Sequence, residues 1–193
     1  MPFFAWSAPL FKLADGRWSH GDFEAVADML RPYVTRERPI LDLAGGTGGL
    51  SAGVASALGV RVVIADATRE MLVRLSAHRL VSVRLAAAEA LPFPDGYFDA
   101  LLCSDAFHHF WDQDGAAREM ARVVRLGGGA VIRDIEPRGL GRVAAYVERL
   151  LHEPAAFMTA TQMTAFMARH GIVGTTTRHR GSTYSFLGTV SRT

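Results

Sequence analysis

Residues 40–51 read Ile-Leu-Asp-Leu-Ala-Gly-Gly-Thr-Gly-Gly-Leu-Ser. An apolar run opened by Pro39 stops on two pairs of glycines, and a helical pattern closed by Gly59 follows. Such a run reads as a buried strand that turns tightly into a helix. The pattern recurs, which is what limits the fold. Strand-like runs at 60–66, 81–87, 97–107 and 127–137 are interleaved with helical stretches at 49–59, 68–78 and 115–125. Alternation of this kind implies βαβ units on a parallel sheet with right-handed crossovers. An earlier helix is predicted at about 22–30, where Phe23, Val26, Ala27 and Leu30 share a face. The end of the chain differs: a helix at 159–171 precedes two strand-like runs joined at Arg180-Gly181, which predicts an antiparallel hairpin closing the sheet.

With 193 residues, 49% apolar and 21% charged, the chain is long enough for one well-buried core and is not disordered in composition. Net charge is +2, and the basic residues are scattered arginines with Lys12 the sole lysine, so no nucleic-acid-binding stripe is visible. The single Cys103 leaves no disulfide framework within one chain and suits a reducing, cytoplasmic setting. The apolar start, residues 1–12, lacks a basic leader and carries Pro2 and Pro9, so it is not read as a signal peptide. No run is long enough for stable membrane insertion.

Ligands on open α/β sheets bind beyond the carboxyl ends of the strands, at the switch in strand order. The glycine turn is therefore the first candidate site. Gly46 and Gly48 permit close backbone approach, and the helix behind them offers unpaired N–H groups. Yet Asp42 precedes the turn, where it would repel a phosphate, and Ser51 stands where a nicotinamide fingerprint has a third glycine. S-adenosylmethionine has no phosphate and carries an ammonium and a sulfonium, which Asp42 would attract. Asp66, about twenty residues after the turn at the end of the second strand, is placed to accept both hydroxyls of a ribose. Thr68 is the better-placed cap for the helix that follows, which leaves Asp66 freer for a ligand. A tight packing junction at the turn and a cap role for Asp66 are the bland alternatives.

Four stretches, LDLAGGTGGLS, VVIAD, AEALPFPDGYFDALLCSDAF and REMARVVRLGGGAVIRDIEP, resemble in order and spacing the motifs of class I S-adenosylmethionine-dependent methyltransferases. More narrowly they resemble the ubiquinone/menaquinone-biosynthesis C-methyltransferase group and its generic small-molecule relatives. The resemblance implies an α/β, Rossmann-like fold: a mostly parallel seven-stranded sheet, a C-terminal antiparallel hairpin and helices on both faces. It implies one domain over 1–193, with an N-terminal helical or lid segment (1–37), a cofactor-binding core (38–137) and acceptor-side helices and closing strands (138–193). Asp42, Ala44, Gly46 and Gly48 would line the methionine end of the cofactor, Asp66 and Ala67 the ribose and adenine, and Ala88 and Glu89 the adenine edge. Ser104 and Asp105 would sit beneath the sulfonium. Three departures stand out. Ala44 replaces a glycine common in the superfamily, Ala87 replaces an adenine-binding Asp or Asn, and the SDAFHHF stretch is closer to generic relatives than to quinone enzymes.

Methyl transfer depends mainly on positioning and desolvation, so a base is not obligatory. Asp105 and His108 are the candidate catalytic residues, with His109 beside them; His108 could take a proton from a phenol, an enol or an acidic carbon, or could simply pack. His20, His152 and Tyr184 are weaker candidates for the acceptor pocket, while His78, His170 and His179 read as helix-end or surface residues. The histidines lack metal-ligand spacing, and Cys103 reads as strand core. The aromatics Phe3, Phe4, Trp6 and Phe11 are expected to wall an apolar acceptor pocket together with Tyr146 and Met158; a membrane-touching segment and a plain core helix are the alternatives. The expected activity is methyl transfer to a small apolar or aromatic acceptor, with a homodimer left open. The rivals are a nicotinamide-dependent oxidoreductase, a nucleic-acid methyltransferase and a non-catalytic S-adenosylmethionine-binding regulator.

Overall fold

The computed structural model describes residues 19–138 and 156–191. Phe3, Phe4, Trp6, Phe11, Tyr146 and His152, expected on the acceptor side, lie outside the described residues. Helix α1 (His20–Leu30) starts two residues earlier than its apolar pattern suggests, because Ser19 and Asp22 form a capping box in which each side chain accepts from the other's backbone N–H. A short 3₁₀ turn, Arg31–Tyr33, leads to β1 (Ile40–Leu43). There follow α2 (Gly49–Leu58), β2 (Val62–Asp66), α3 (Arg69–Leu72), β3 (Val81–Leu85), β4 (Phe98–Ser104), α4 (Gln113–Val123), β5 (Val124–Ile135), α5 (Ala160–Arg169), β6 (Ile172–Arg178) and β7 (Thr183–Val190).

The strands form one sheet in the order β3-β2-β1-β4-β5-β7-β6. The first five are parallel, and β7 runs antiparallel to both β5 and β6. This is the mixed, Rossmann-like sheet that the alternation and the closing hairpin predict. The chain turns back at Arg180-Gly181, with Gly181 at φ +85° as a tight reversal requires. Period-two alternation sorts the strand residues to two faces. Leu41, Leu101 and Cys103 pack with α4 and α5 residues such as Met120 and Phe166. Ile40, Ala100 and Leu102 pack with Val26 and Leu30 of α1 and Val54 of α2.

Three elements depart from the sequence reading. The helix expected over 68–78 is one turn long. Thr68 sits at its N-cap but its side chain caps nothing, and beyond Leu72 the backbone closes i→i+3 turns. Leu75 instead folds back over the glycine turn, where a Cβ on Gly48 would come within 2.1 Å of its Cδ1. Strand β5 begins at Val124, directly after α4 and three residues before the expected start. Strand β3, predicted as a strand like the others, is a bare edge with Val83 and Leu85 exposed.

At the end of β4 remote from the glycine turn, Asp99 is fully buried and accepts from Thr35 N–H and Oγ1 and from Arg125 Nε. Burial by itself would raise this carboxyl, but the bonds from Thr35 and Arg125 outweigh burial and hold it below the usual carboxylate range. Asp99→Asn should therefore lower unfolding free energy by about 2–4 kcal/mol at neutral pH in urea titrations. The stabilisation belongs to the ionised form, so the gap between variant and wild type should close as pH falls below about 4.

Candidate active site

The strand order reverses on either side of β1: the chain adds β2 and β3 on one side, then returns to add β4 on the other. Above the carboxyl ends of β1, β2 and β4 lies a cavity of about 600 Å³. Asp42, Ala44, Gly46, Asp66, Ala67, Ala88, Glu89, Ser104, Asp105, His108 and His109 all line it. Gly48 does not. It takes φ +80° at the start of α2, with Leu75 and Ile64 packed where a side chain would go, so its part is to turn the chain rather than to face the cavity.

The turn is held by a carboxylate. Asp66 Oδ2 accepts from Gly46 N–H (3.0 Å), and Oδ1 accepts from Thr68 N–H (2.7 Å). The expectation that Thr68 would cap the helix and so leave Asp66 freer for a ligand is thus corrected, since the Thr68 side chain makes no cap bond and Asp66 itself spans two backbone amides. Each oxygen still has a second lone-pair direction. Burial raises the Asp66 carboxyl, and these amide bonds oppose the rise. Two non-glycine residues occupy left-handed backbone here, Ala44 at φ +56° and Asp105 at φ +52°, each just past the end of a central strand. Such conformations are disfavoured and persist where surrounding structure imposes them. Ala44 N–H is fixed on Ala65 O and Asp105 N–H on Arg133 O.

Beneath the turn, Asp42 is 2% exposed and accepts from the Ser51 hydroxyl in the first turn of α2. Burial pushes its carboxyl up to about 7; the Ser51 bond opposes this and the Asp66 charge adds to it. The residue that breaks the nicotinamide fingerprint is thus the partner of the aspartate that precedes the turn. Gly45, which the sequence reading passed over, is required for the same reason: a Cβ there would sit 2.8 Å from Asp42 Cγ. At Gly46 a Cβ would meet no atom within 4 Å.

On the β4 side, residues Phe107–His109 form a 3₁₀ turn that presents His108 to the cavity. His108 Nδ1 lies 2.5 Å from Asp134 Oδ1, and both side chains are 2% exposed. The ring stacks on Phe157 at 4.3 Å and lies against His109 at 4.0 Å. The sequence reading named His108 but missed Asp134, 26 residues away on β5. An acidic side chain inside an apolar strand is itself a signal that a partner is needed. Trp111, Ile135 and Thr183 also line the cavity and were not singled out; no motif marks them. Ser104 Oγ is buried with no hydrogen-bond partner among the described residues.

Other candidates fall elsewhere. His20 is 87% exposed and lies near Glu24 on α1, away from the cavity. Tyr184 is fully buried in the core, does not line the cavity and has an unpartnered hydroxyl among the described residues. Met158 packs against the core on the α5 side. His170, read as a helix-end residue, does end α5, with Nε2 2.9 Å from Asp114 and Nδ1 on Phe166 O. Cys103 is strand core with its thiol raised by burial. Among the described residues no group of three or more His, Cys, Asp or Glu could hold a metal ion, and no helix is long and apolar enough to cross a membrane.

Comparison with known proteins adds independent observations. The family model described as "Methyltransferase domain" matches residues 41–132. The ubiquinone/menaquinone biosynthesis C-methyltransferase UbiE of Yersinia enterocolitica is 41% identical over 105 residues, covering 49% of this chain and 41% of that protein. The chain thus spans less than half the length of the curated relatives it matches. Among solved structures, geranyl diphosphate methyltransferase in complex with SAM superposes with a TM-score of 0.75 at 15% identity, over 91% of this chain and 86% of that one. The YcgJ protein of Bacillus subtilis gives 0.69 at 23% identity, over 83% and 71%. At such identities the structural likeness speaks for the fold alone. Sheet order and the family match agree: residues 41–132 are similar to the methyltransferase domain family, and the fold is that of S-adenosylmethionine-dependent methyltransferases.

Proposed function

We propose that the protein transfers a methyl group from S-adenosylmethionine to a small apolar or aromatic organic acceptor. The observation that carries this reading is the glycine turn pinned by Asp66 at the floor of the cavity, with open space where a Gly46 side chain would be. The residues present fit the cofactor. A ligand can lie against the Gly46 backbone, and the spare lone pairs of Asp66 suit a vicinal diol. Asp42 and Ser51 place negative potential beneath the methionine end, complementary to an ammonium and a sulfonium. Ala67, Ala88 and Glu89 border the space for the adenine, and Ser104 and Asp105 lie on the β4 side under the reacting end.

When bound, the cofactor supplies a methyl group on a sulfonium that departs as a neutral thioether. The chain's own task is to hold the acceptor in line and exclude water. The apolar cavity wall formed by Phe110, Trp111 and Ile135 supports an apolar or aromatic acceptor. The relative's name, a quinone-biosynthesis C-methyltransferase, agrees with an aromatic substrate. The nicotinamide alternative finds no support in the family match. The lone buried Cys103 supports a reducing, cytoplasmic setting.

Calorimetry should show S-adenosylhomocysteine binding and no comparable binding of NAD. Asp66→Asn keeps the side-chain size but sets an NH2 donor against one of the two backbone amides and loses the charge, so S-adenosylhomocysteine affinity should fall roughly tenfold to a hundredfold or more. A folded variant with unchanged affinity would remove Asp66 from the ribose position. Gly46→Val should abolish binding, because it fills the cradle and strains a φ of +56°.

Asp42 yields a proton-linked prediction. Its folded pKa of about 7 lies above the unfolded value, so the ligand-free protein holds an extra proton between about pH 4 and 7. Stability from this group is full below about pH 4 and is lost as pH rises through 7. Asp42→Asn should therefore unfold at higher temperature than wild type at pH 8, by an amount equivalent to about 2–4 kcal/mol, with the difference vanishing toward pH 4. A cation bound nearby favours the ionised form, so cofactor affinity in wild type should rise from pH 6 to pH 8 while that of the variant stays flat.

A further inference from the structure

The segment that joins β3 to β4 borders the cavity, and helix α4 grips it through two side chains. Glu119 and Arg122, one turn apart on α4, meet fork to fork: Arg122 Nε donates to Glu119 Oε1 (2.6 Å) and Nη2 to Oε2 (2.8 Å). The pair then reaches across to the segment. Glu119 Oε2 also accepts from Leu91 N–H (2.7 Å), while Arg122 Nη2 donates to Leu91 O (3.0 Å) and Nη1 to Phe93 O (2.7 Å) and Asp95 Oδ1 (3.0 Å). All the N–H donors of the guanidinium are thereby used, three of them outside the ion pair. Leu91 is held by both its N–H and its C=O.

Leu91 stands three residues from Ala88, which lines the cavity and is 7% exposed. The other end of the segment is anchored where Ala86 N–H donates to the backbone oxygen of Asp66 (3.0 Å), the residue that also holds the glycine turn. Between these anchors Ala90 N–H closes a turn on Ala87 O (3.2 Å), and Ala88 N–H donates to no acceptor among the described residues. A buried amide of this kind calls for a partner. Ala86, Ala87, Ala88 and Glu89 all line the cavity. Three of these side chains are methyl groups, and an ionised Glu89 only accepts, so a ring nitrogen's lone pair can be met here only by a backbone N–H. Such a bond weakens steeply with misalignment, so its strength depends on what holds the backbone in place.

We propose that the Glu119–Arg122 pair is a positioning device for the cofactor's base: by gripping Leu91 it sets the Ala88 N–H to donate to an unprotonated ring nitrogen, and so selects adenine over hypoxanthine. This rests on the methyltransferase reading above. Hypoxanthine carries a proton on the ring nitrogen next to its oxygen, which sets N–H against N–H. A site built around one hydrogen bond rejects an analogue that cannot make it, provided that the site's donor cannot move aside. The clamp on Leu91 supplies that rigidity.

The test compares S-adenosylhomocysteine with S-inosylhomocysteine by calorimetry. Wild type should bind the adenine compound about tenfold to a hundredfold more tightly. Arg122→Lys has three donors where five are used and releases Leu91. It should lose about tenfold or more on S-adenosylhomocysteine and less than about threefold on S-inosylhomocysteine, so that the preference collapses; Glu119→Gln should move the same way by less. Asp99→Asn, destabilised at the far end of β4, should keep the wild-type preference. An equal loss on both ligands in Arg122→Lys, or the same collapse in Asp99→Asn, would reduce the pair to a structural tie and overturn the proposal. A second arm uses wild type alone: a nuclear spin coupling across the hydrogen bond should join the Ala88 amide nitrogen to a ring nitrogen of ¹⁵N-labelled adenine in bound S-adenosylhomocysteine. Its absence would overturn the proposal whether or not the variants fold. Wild type that binds both compounds equally would also overturn it, whereas wild type that binds neither would remove the methyltransferase reading itself.

Discussion

One carboxylate couples the two strand ends that make this site. Asp66 terminates β2, and through Gly46 N–H it fixes the turn after β1, while through Thr68 N–H it fixes the turn after itself. It is 8% exposed, so its charge is costly and is compensated mainly by those two amides. The arrangement explains why the turn keeps its shape although Ala44 stands in left-handed backbone without a glycine's freedom. It also means that a substitution at Asp66 is felt first in the backbone and only then in a ligand.

The cavity is asymmetric in its chemistry. On the β1–β2 side it offers buried carboxylates, backbone amides and small residues, an environment for a polar, positively charged ligand. On the β4–β5 side it offers aromatic rings and a histidine whose second partner is buried beneath it. The sheet generates this division because its order reverses about β1. Strands on one side of the reversal carry the Asp42 and Asp66 pair, while those on the other carry Asp105, His108 and Asp134. Glu136 continues the second side: it accepts from Ala160 N–H at the start of α5 and from the Arg178 guanidinium on β6, so the closing hairpin is tied to the strand end that bears Asp134.

The fold was legible because its signals are local: apolar runs closed by glycines, and a terminal pair of runs joined at Arg180-Gly181. Most of the cavity floor was legible for the same reason, since Asp42, Gly46 and Asp66 sit at fixed offsets from strand ends. Where long-range contacts decide, the sequence was silent or misleading. Leu75 leaves its expected helix to cover Gly48, and helix propensity along 68–78 carries no sign of that contact. The Ser51–Asp42 bond looked like a missing glycine. The His108–Asp134 pair joins residues on neighbouring strand ends, and only the β4–β5 register brings them together. The edge position of β3 follows from strand order, which periodicity does not encode.

Cys103 gives the molecule an internal clock. It is the only cysteine in the chain, it is wholly buried on β4, and it lies one residue before Ser104 at the cavity floor. Burial keeps its thiol protonated and out of reach of reagents in the closed state. Any alkylation must await an opening that parts β4 from the helices packed on that face, so the rate of thiol capture measures how often the centre of the sheet breathes. Because the same strand carries the floor of the cavity, a ligand that braces the floor should slow that clock without touching the sulfur.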